Sequence, residues 1–339
     1  MYSPGMRTLA PPPDAVVDPA VLRVGSYRGG LPPIDPTPLG RGPIFRLAHE
    51  KSWVYVAVAA GDLLVAAAVV QLGYAANAFA FVFDRAAGRM LADRSSLGTS
   101  RAATVGKTGG AGCIGKYRGS GFHIALERGV HETEYHLDIN VPDLRVSARL
   151  ATEGVPPAIG AVALLPGGPG LFNATEKHVL LPATVEVHAG GRRHAPEGGF
   201  GGVDFSFGWL PRRTAWRWAF ALGRTRAGER VGLNLVQGFM GAAECAVWVE
   251  DELIPLSEGV VDFDQDRPLS PWHVRTVDGE VDLRFEPGAV HEEKRDLVLV
   301  ASSFIQPAGS FSGTIRVPGR PPLELDGVLG VVEDQRVTW

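Results

Sequence analysis

Cysteine is nearly missing from this chain: Cys113 and Cys245 are the only two in 339 residues, far apart and in no metal-type spacing. That excludes a disulfide framework and makes a cytoplasmic setting the simplest expectation. An excess of charge is missing too, since 33 basic and 37 acidic side chains leave a formal −4 without long like-charge blocks. Such a balance predicts no electrostatic footprint for nucleic acid or for an anionic membrane surface. Long hydrophobic runs are also lacking. The most apolar region, residues 53–83, is interrupted by Gly61, Asp62, Gln71, Gly73 and Asn77, so no segment approaches the ~20 apolar residues of a spanning helix. The opening residues are proline-rich, with no apolar run of signal-peptide type.

Familiar chemical motifs are absent as well. Gly110-Ala111-Gly112-Cys113-Ile114-Gly115 has dinucleotide-loop spacing, but Lys116-Tyr117-Arg118-Gly119 follows it. That is a poor helix start, and without a helix nothing directs amides at a pyrophosphate, so a plain loop is expected. Gly106-Lys107-Thr108 lacks the earlier phosphate-loop glycine, because Arg101 stands in its place. His131 and His136 are five apart on a segment that reads as a strand, which sends them to opposite faces. The Gly309–Gly313 segment has Phe311 at its centre, where a nucleophile elbow needs serine. No metal or cofactor is called for.

What is present is β patterning. Val- and Leu-rich runs flank Gly61-Asp62 as a hairpin, and Phe79, Phe81 and Phe83 alternate along a third strand. Short strand-like segments with Gly and Pro breaks continue to the end, and 43 glycines with 26 prolines suit a chain that turns often. The expectation is an all-β protein, with residues 85–96 as a short helix and residues 106–121 as a glycine-rich loop. An irregular arm spans 1–24, one β domain 25–190 and a second 191–339, joined through the turn-rich segment 189–199.

The richest stretch is 200–248. Trp216, Trp218 and Phe220 alternate onto one face of a strand. On neighbouring segments stand Asp204 and Asn234, and Glu244 on a common face with Ala246 and Trp248. Two readings are open. In one, the rings fill a barrel core and the acids pair with Arg217, Arg275 or Arg284. In the other, rings and acids together wall an apolar ligand pocket, in which a buried carboxyl must be paired or neutral. Cys245, on an apolar face, is expected to be inert packing.

Several blocks resemble one family. LGYAANAFAFVFDR (72–85), EKHVLLPATVEV (176–187), GGVDFSFGWLPRRTAWRWAFALG (201–223), VGLNL (231–235), PWHVRTVDGEVDLRFEP (271–287), SSFIQPAGSFSGT (302–314) and GVLGVVEDQRVTW (327–339) are similar to the bacterial domain-of-unknown-function family 2804. That family resembles the lipocalin-like group of carotenoid hydratases and, more loosely, tocopherol cyclase. The resemblance implies two tandem lipocalin-like antiparallel β-barrels with few short helices, and a cavity at a barrel mouth or between barrels. It implies acid-initiated hydration or cyclisation of an isoprenoid- or polyketide-like molecule. Glu244 or Asp204 would be the acid. Trp216, Trp218 and Trp248 would form the cation-stabilising wall, while Asn234, Tyr74, Asn77 and His178 would orient substrate or water. The alternative is a non-catalytic carrier of a hydrophobic ligand, and either form would be a monomer or homodimer. Two positions depart from the family pattern: Cys245 follows Glu244 where asparagine is expected, and Gln335 stands where histidine is expected.

Overall fold

The computed structural model describes residues 8–297 and 300–339. It is almost entirely β, arranged as two antiparallel sheets that form a nearly closed barrel and a half-barrel. The first sheet is centred on three long strands side by side, Glu50–Ala60, Phe200–Trp209 and Phe172–Ala189. From Glu50–Ala60 it continues through Leu63–Gln71 and Ala75–Asp84 to Arg89–Thr99. From Phe172–Ala189 it runs through Leu144–Ala151 and Glu134–Val141 to Ala103–Val105. The second sheet is centred on Arg213–Arg224 and Leu323–Thr338. Arg230–Gly238 flanks the former, and Val300–Ile315 then Val281–Leu297 flank the latter.

Double burial explains why apolar residues dominate both faces of the strands within residues 53–83. Val54, Val56 and Val58 face the core inside the first barrel, whereas Tyr55, Ala57 and Ala59 face a second core shared with the other sheet. Phe79, Phe81 and Phe83 enter that shared core too, meeting Trp218, Leu233 and Val331 from the second sheet. A strand buried on both faces needs no polar alternation.

The long strand Phe172–Ala189 changes cores partway along. Its register shifts between His178 and Leu181, and Leu180 takes a left-handed φ of 58°. This bulge turns Val179 and Leu180 toward the second sheet, while Leu181 returns to the first barrel. The tight fit there is recorded by Gly232, where an added Cβ would stand 2.3 Å from Val179.

Three sequence expectations need correction. Residues 89–99 form a strand paired with Ala75–Asp84, not a helix; the α-helix present is Pro43–His49, with proline in its first turn. Within 106–121, expected as loop, Ile114–Gly119 is a strand, paired with Ala103–Val105 just before it. Segment 189–199 is not where the chain leaves the first sheet, because Arg192–His194 folds back on Val187–Ala189 and Phe200–Trp209 then enters the middle of that sheet. The crossing to the second sheet falls after Trp209. No helix among the described residues is long and apolar enough to cross a membrane.

Candidate functional site

A cavity of about 340 Å³ lies between the two sheets, and strand register accounts for its walls. Across the first sheet, Lys177, Asp204, Tyr55, Ala68 and Phe79 stand opposite one another on successive strands. Two residues along, on the same face, Ser206, Trp53, Val70, Asn77 and Leu97 make the next row. The second sheet answers with Val236, Trp218 and Glu333 in one row and Trp216, Gln335, Phe304 and Glu293 in the next. All of these residues line the cavity. Leu97 and Tyr74 are exposed and mark its rim.

At the inner end sits a buried ion cluster. The Lys177 ammonium lies 2.6 Å from Asp204 and 2.9 Å from Glu244. Burial alone would push the lysine pKa down, but the two carboxylates outweigh it and hold the ammonium up. Burial pushes the Glu244 carboxyl up, opposed by Lys177 and reinforced by Asp204. The acids are therefore paired through lysine, not through the arginines considered above. Arg217 bonds Asp334, Arg275 pairs with Asp262, and Arg284 pairs with Glu286.

A third carboxyl, Glu333, enters from the opposite sheet. The Trp216 indole N–H donates to its Oε1 at 2.7 Å and the Gln306 amide donates to its Oε2 at 2.7 Å. Desolvation dominates over both bonds, and with the negative charge of Asp204 it carries Glu333 up to about 7. Aromatic faces surround this acid. Trp53 stacks on Trp216 with ring centroids 5.9 Å apart and planes 11° apart, Phe239 leans on both, and Tyr55 meets Trp218 edge-on at 5.1 Å.

The expected site residues divide into two groups. Asp204, Glu244, Trp216, Trp218, Tyr74 and Asn77 come together on the cavity wall. Asn234 lies behind it, accepting from the Trp218 indole at 2.7 Å and donating to the Glu244 carbonyl at 2.8 Å. Trp248 is fully buried with its N–H on the Pro157 carbonyl. His178 points away, because Lys177 faces the cavity and its strand neighbours must face the other side. There His178 meets Glu176 at 3.1 Å and Tyr135 edge-on. Glu244 is not on a strand face with Ala246 and Trp248 but ends a short 3-10 turn, Gly241–Glu244, which swings its carboxyl to Lys177.

Sequence reading missed Lys177, Glu333, Gln306 and Trp53. Alternation carried a signal for two of them. Lys177 shares its parity with the apolar Val179, Leu181, Ala183, Val185 and Val187, and Glu333 and Gln335 occupy the same parity as Val331 and Val337. Of the two departures from the family pattern, Gln335 lines the cavity and donates to Ser302 at 3.1 Å. Cys245 is buried elsewhere, its thiol pushed up to about 12 by burial.

Comparison with curated protein sequences finds no match. Among solved structures, kievitone hydratase from Nectria haematococca is similar over 85% of this chain and 89% of its own, with 14% identity and a TM-score of 0.53. The structure of CghA with Sch210972 is similar over 95% of this chain and 97% of its own, with 12% identity and a TM-score of 0.50. These likenesses concern the fold. The model of the family described as Domain of unknown function (DUF2804) matches residues 22–339, so the chain belongs to that family.

Proposed function

We propose that the inter-sheet cavity binds an apolar small molecule and that Glu333 protonates it, starting a hydration or cyclisation. The observation that carries this reading is a buried carboxyl raised to about 7 among stacked indoles. Near neutral pH a large share of such an acid keeps its proton, and a group poised near working pH is suited to give it up.

In hydration, the Glu333 O–H proton passes to one carbon of a double bond and a cation forms on the other. Water adds to the cation through oxygen, then returns a proton to the Glu333 carboxylate. In cyclisation an internal double bond takes the place of water, and a carbon-bound proton is returned. The faces of Trp53, Trp216 and Trp218 stabilise the cation, since ring quadrupoles attract positive charge most in dry surroundings. Burial, reinforced by the negative charge of Asp204 and opposed by Lys177, keeps Glu333 protonated. That one structure of this fold is named a hydratase agrees with the chemistry.

A carrier would need the walls but not the acid. The test is incubation with mixed polyenes and hydroxylated aromatics, followed by mass spectrometry: a gain of one water marks hydration, and an unchanged mass with altered retention marks cyclisation. Turnover unaffected by Glu333→Gln would refute the assignment.

A further inference from the structure

The outer rows of the cavity carry a second polar group that the chemistry at Glu333 does not use. Asn77 on the first sheet donates its amide N–H to Glu293 Oε2 on the second sheet at 3.1 Å. Arg295, two residues along from Glu293, bonds the same oxygen at 3.3 Å. Behind them, His291 is buried between Phe79 and Phe304 and bonds Asp93 at 2.6 Å.

Buried polar atoms are normally paired, because an unmade hydrogen bond forfeits the hydration of the group. Among the described residues six buried side-chain polar atoms have no hydrogen-bond partner, and three of them are here: Asn77 Oδ1, Glu293 Oε1 and His291 Nε2. His291 Nε2 and Glu293 Oε1 face each other as an ion pair at 3.6 Å, too long for a hydrogen bond. The amide orientation of Asn77 is settled by its neighbour, since a flipped amide would set carbonyl oxygen against carboxylate. Asn77 and Glu293 both line the cavity, and each carries a buried acceptor oxygen, Asn77 Oδ1 and Glu293 Oε1, that has no hydrogen-bond partner. Glu293 is only 9% exposed.

We propose that Asn77, Glu293 and Arg295 form a recognition subsite for a neutral hydroxyl group carried by an otherwise apolar ligand. This rests on reading the cavity as a ligand site, and it narrows the substrate class to alcohols and phenols. A hydroxyl donates its one proton to a single acceptor and accepts from a guanidinium at once, which a carbonyl or an ammonium does not. Charge argues the same way. Burial would lower the His291 pKa, but Asp93 and Glu293 carry it up to about 9, so His291 and Arg295 together balance Asp93 and Glu293. A balanced group attracts neither cation nor anion. Asn77 pairs in register with the exposed Leu97, so the hydroxyl end lies toward the rim and the apolar body extends toward the indoles and Glu333.

The test uses the whole protein and three probes that differ at one group: geraniol, its methyl ether and geranylamine. Binding is followed by the fluorescence of the cavity tryptophans. The wild type is expected to hold geraniol about tenfold tighter than the ether, the worth of one hydrogen bond to a buried acceptor. Asn77→Ala and Glu293→Gln should each shrink that ratio severalfold by weakening geraniol more than the ether. Equal binding of geraniol and ether by the wild type, whatever the variants do, overturns the subsite alone. Tighter binding of the amine than of the alcohol overturns it as well. If no probe binds, the ligand cavity and the subsite fall together. Glu333→Gln should keep the alcohol preference, so a failed acid assignment leaves this inference standing.

Discussion

Trp216 and Glu333 are joined by a 2.7 Å hydrogen bond from indole nitrogen to carboxyl oxygen, while the face of the same indole lies on Trp53. One side chain thus sets the proton affinity of the acid and forms part of the wall where a cation would develop. These roles separate by substitution. Trp216→Phe keeps an aromatic face but removes the N–H that favours the carboxylate, so the Glu333 pKa should rise. The alkaline limb of a pH–rate profile should move upward, whereas Trp216→Leu, which loses the N–H and the aromatic face together, should show the same movement with a much lower rate.

Glu333→Gln should reduce turnover by about a hundredfold or more, the usual worth of a positioned general acid. Ligand binding should persist, because glutamine keeps the shape and both acceptor and donor capacity. In the wild type, turnover should fall as pH rises through about 7, where the acid loses its proton.

Stability should follow the same titration. The folded-state pKa of Glu333 lies above the ordinary 4.5, at about 7. Its contribution is therefore fully present below 4.5 and is lost as pH rises through 7. The amount is on the order of 3 kcal/mol for a shift of this size in a buried group. Thermal melts at pH 5 and pH 8.5 should show a smaller difference in Glu333→Gln than in the wild type, with the variant the more stable at the higher pH.

Lys177→Met should destabilise the fold by about 3–5 kcal/mol, since it leaves Asp204 and Glu244 buried without their cation. Adding Asp204→Asn and Glu244→Gln should recover a large part of the loss, because the three side chains act as one network. Denaturant unfolding of the single, double and triple variants checks this. A triple variant no better than Lys177→Met would show that the charges are not the source of the cost.

Gly232→Ala and Gly288→Ala should each cost about 1–3 kcal/mol through overpacking between the sheets. A Cβ at Gly232 would meet Val179, and one at Gly288 would meet the Phe83 ring, each at 2.3 Å. Gly228→Ala is a different case: its site is open, and its cost comes only from the φ of 92°.

Much of this molecule was legible from alternation and composition. Val54 through Phe83 read as strands because β-branched and aromatic residues crowd around one glycine turn, and that local pattern survives in the fold. Trp216 and Trp218 could be placed on one face by counting residues, since the extended chain has a strict period of two. The same counting could have turned His178 away from Lys177 and singled out Glu333 among valines. Which strand lies beside which is another matter, because pairing is made between segments far apart in sequence. Nothing local says that Phe200–Trp209 enters between Glu50–Ala60 and Phe172–Ala189, which is what brings Asp204 opposite Lys177. Nor does any local pattern bring Glu333 across from another sheet to share a dry cavity with them. Chemistry along each strand is decided by covalent order and the alternation of side chains. The charge state of the acids depends on how much water and which partners surround them, and only the packing of one sheet on the other settles that.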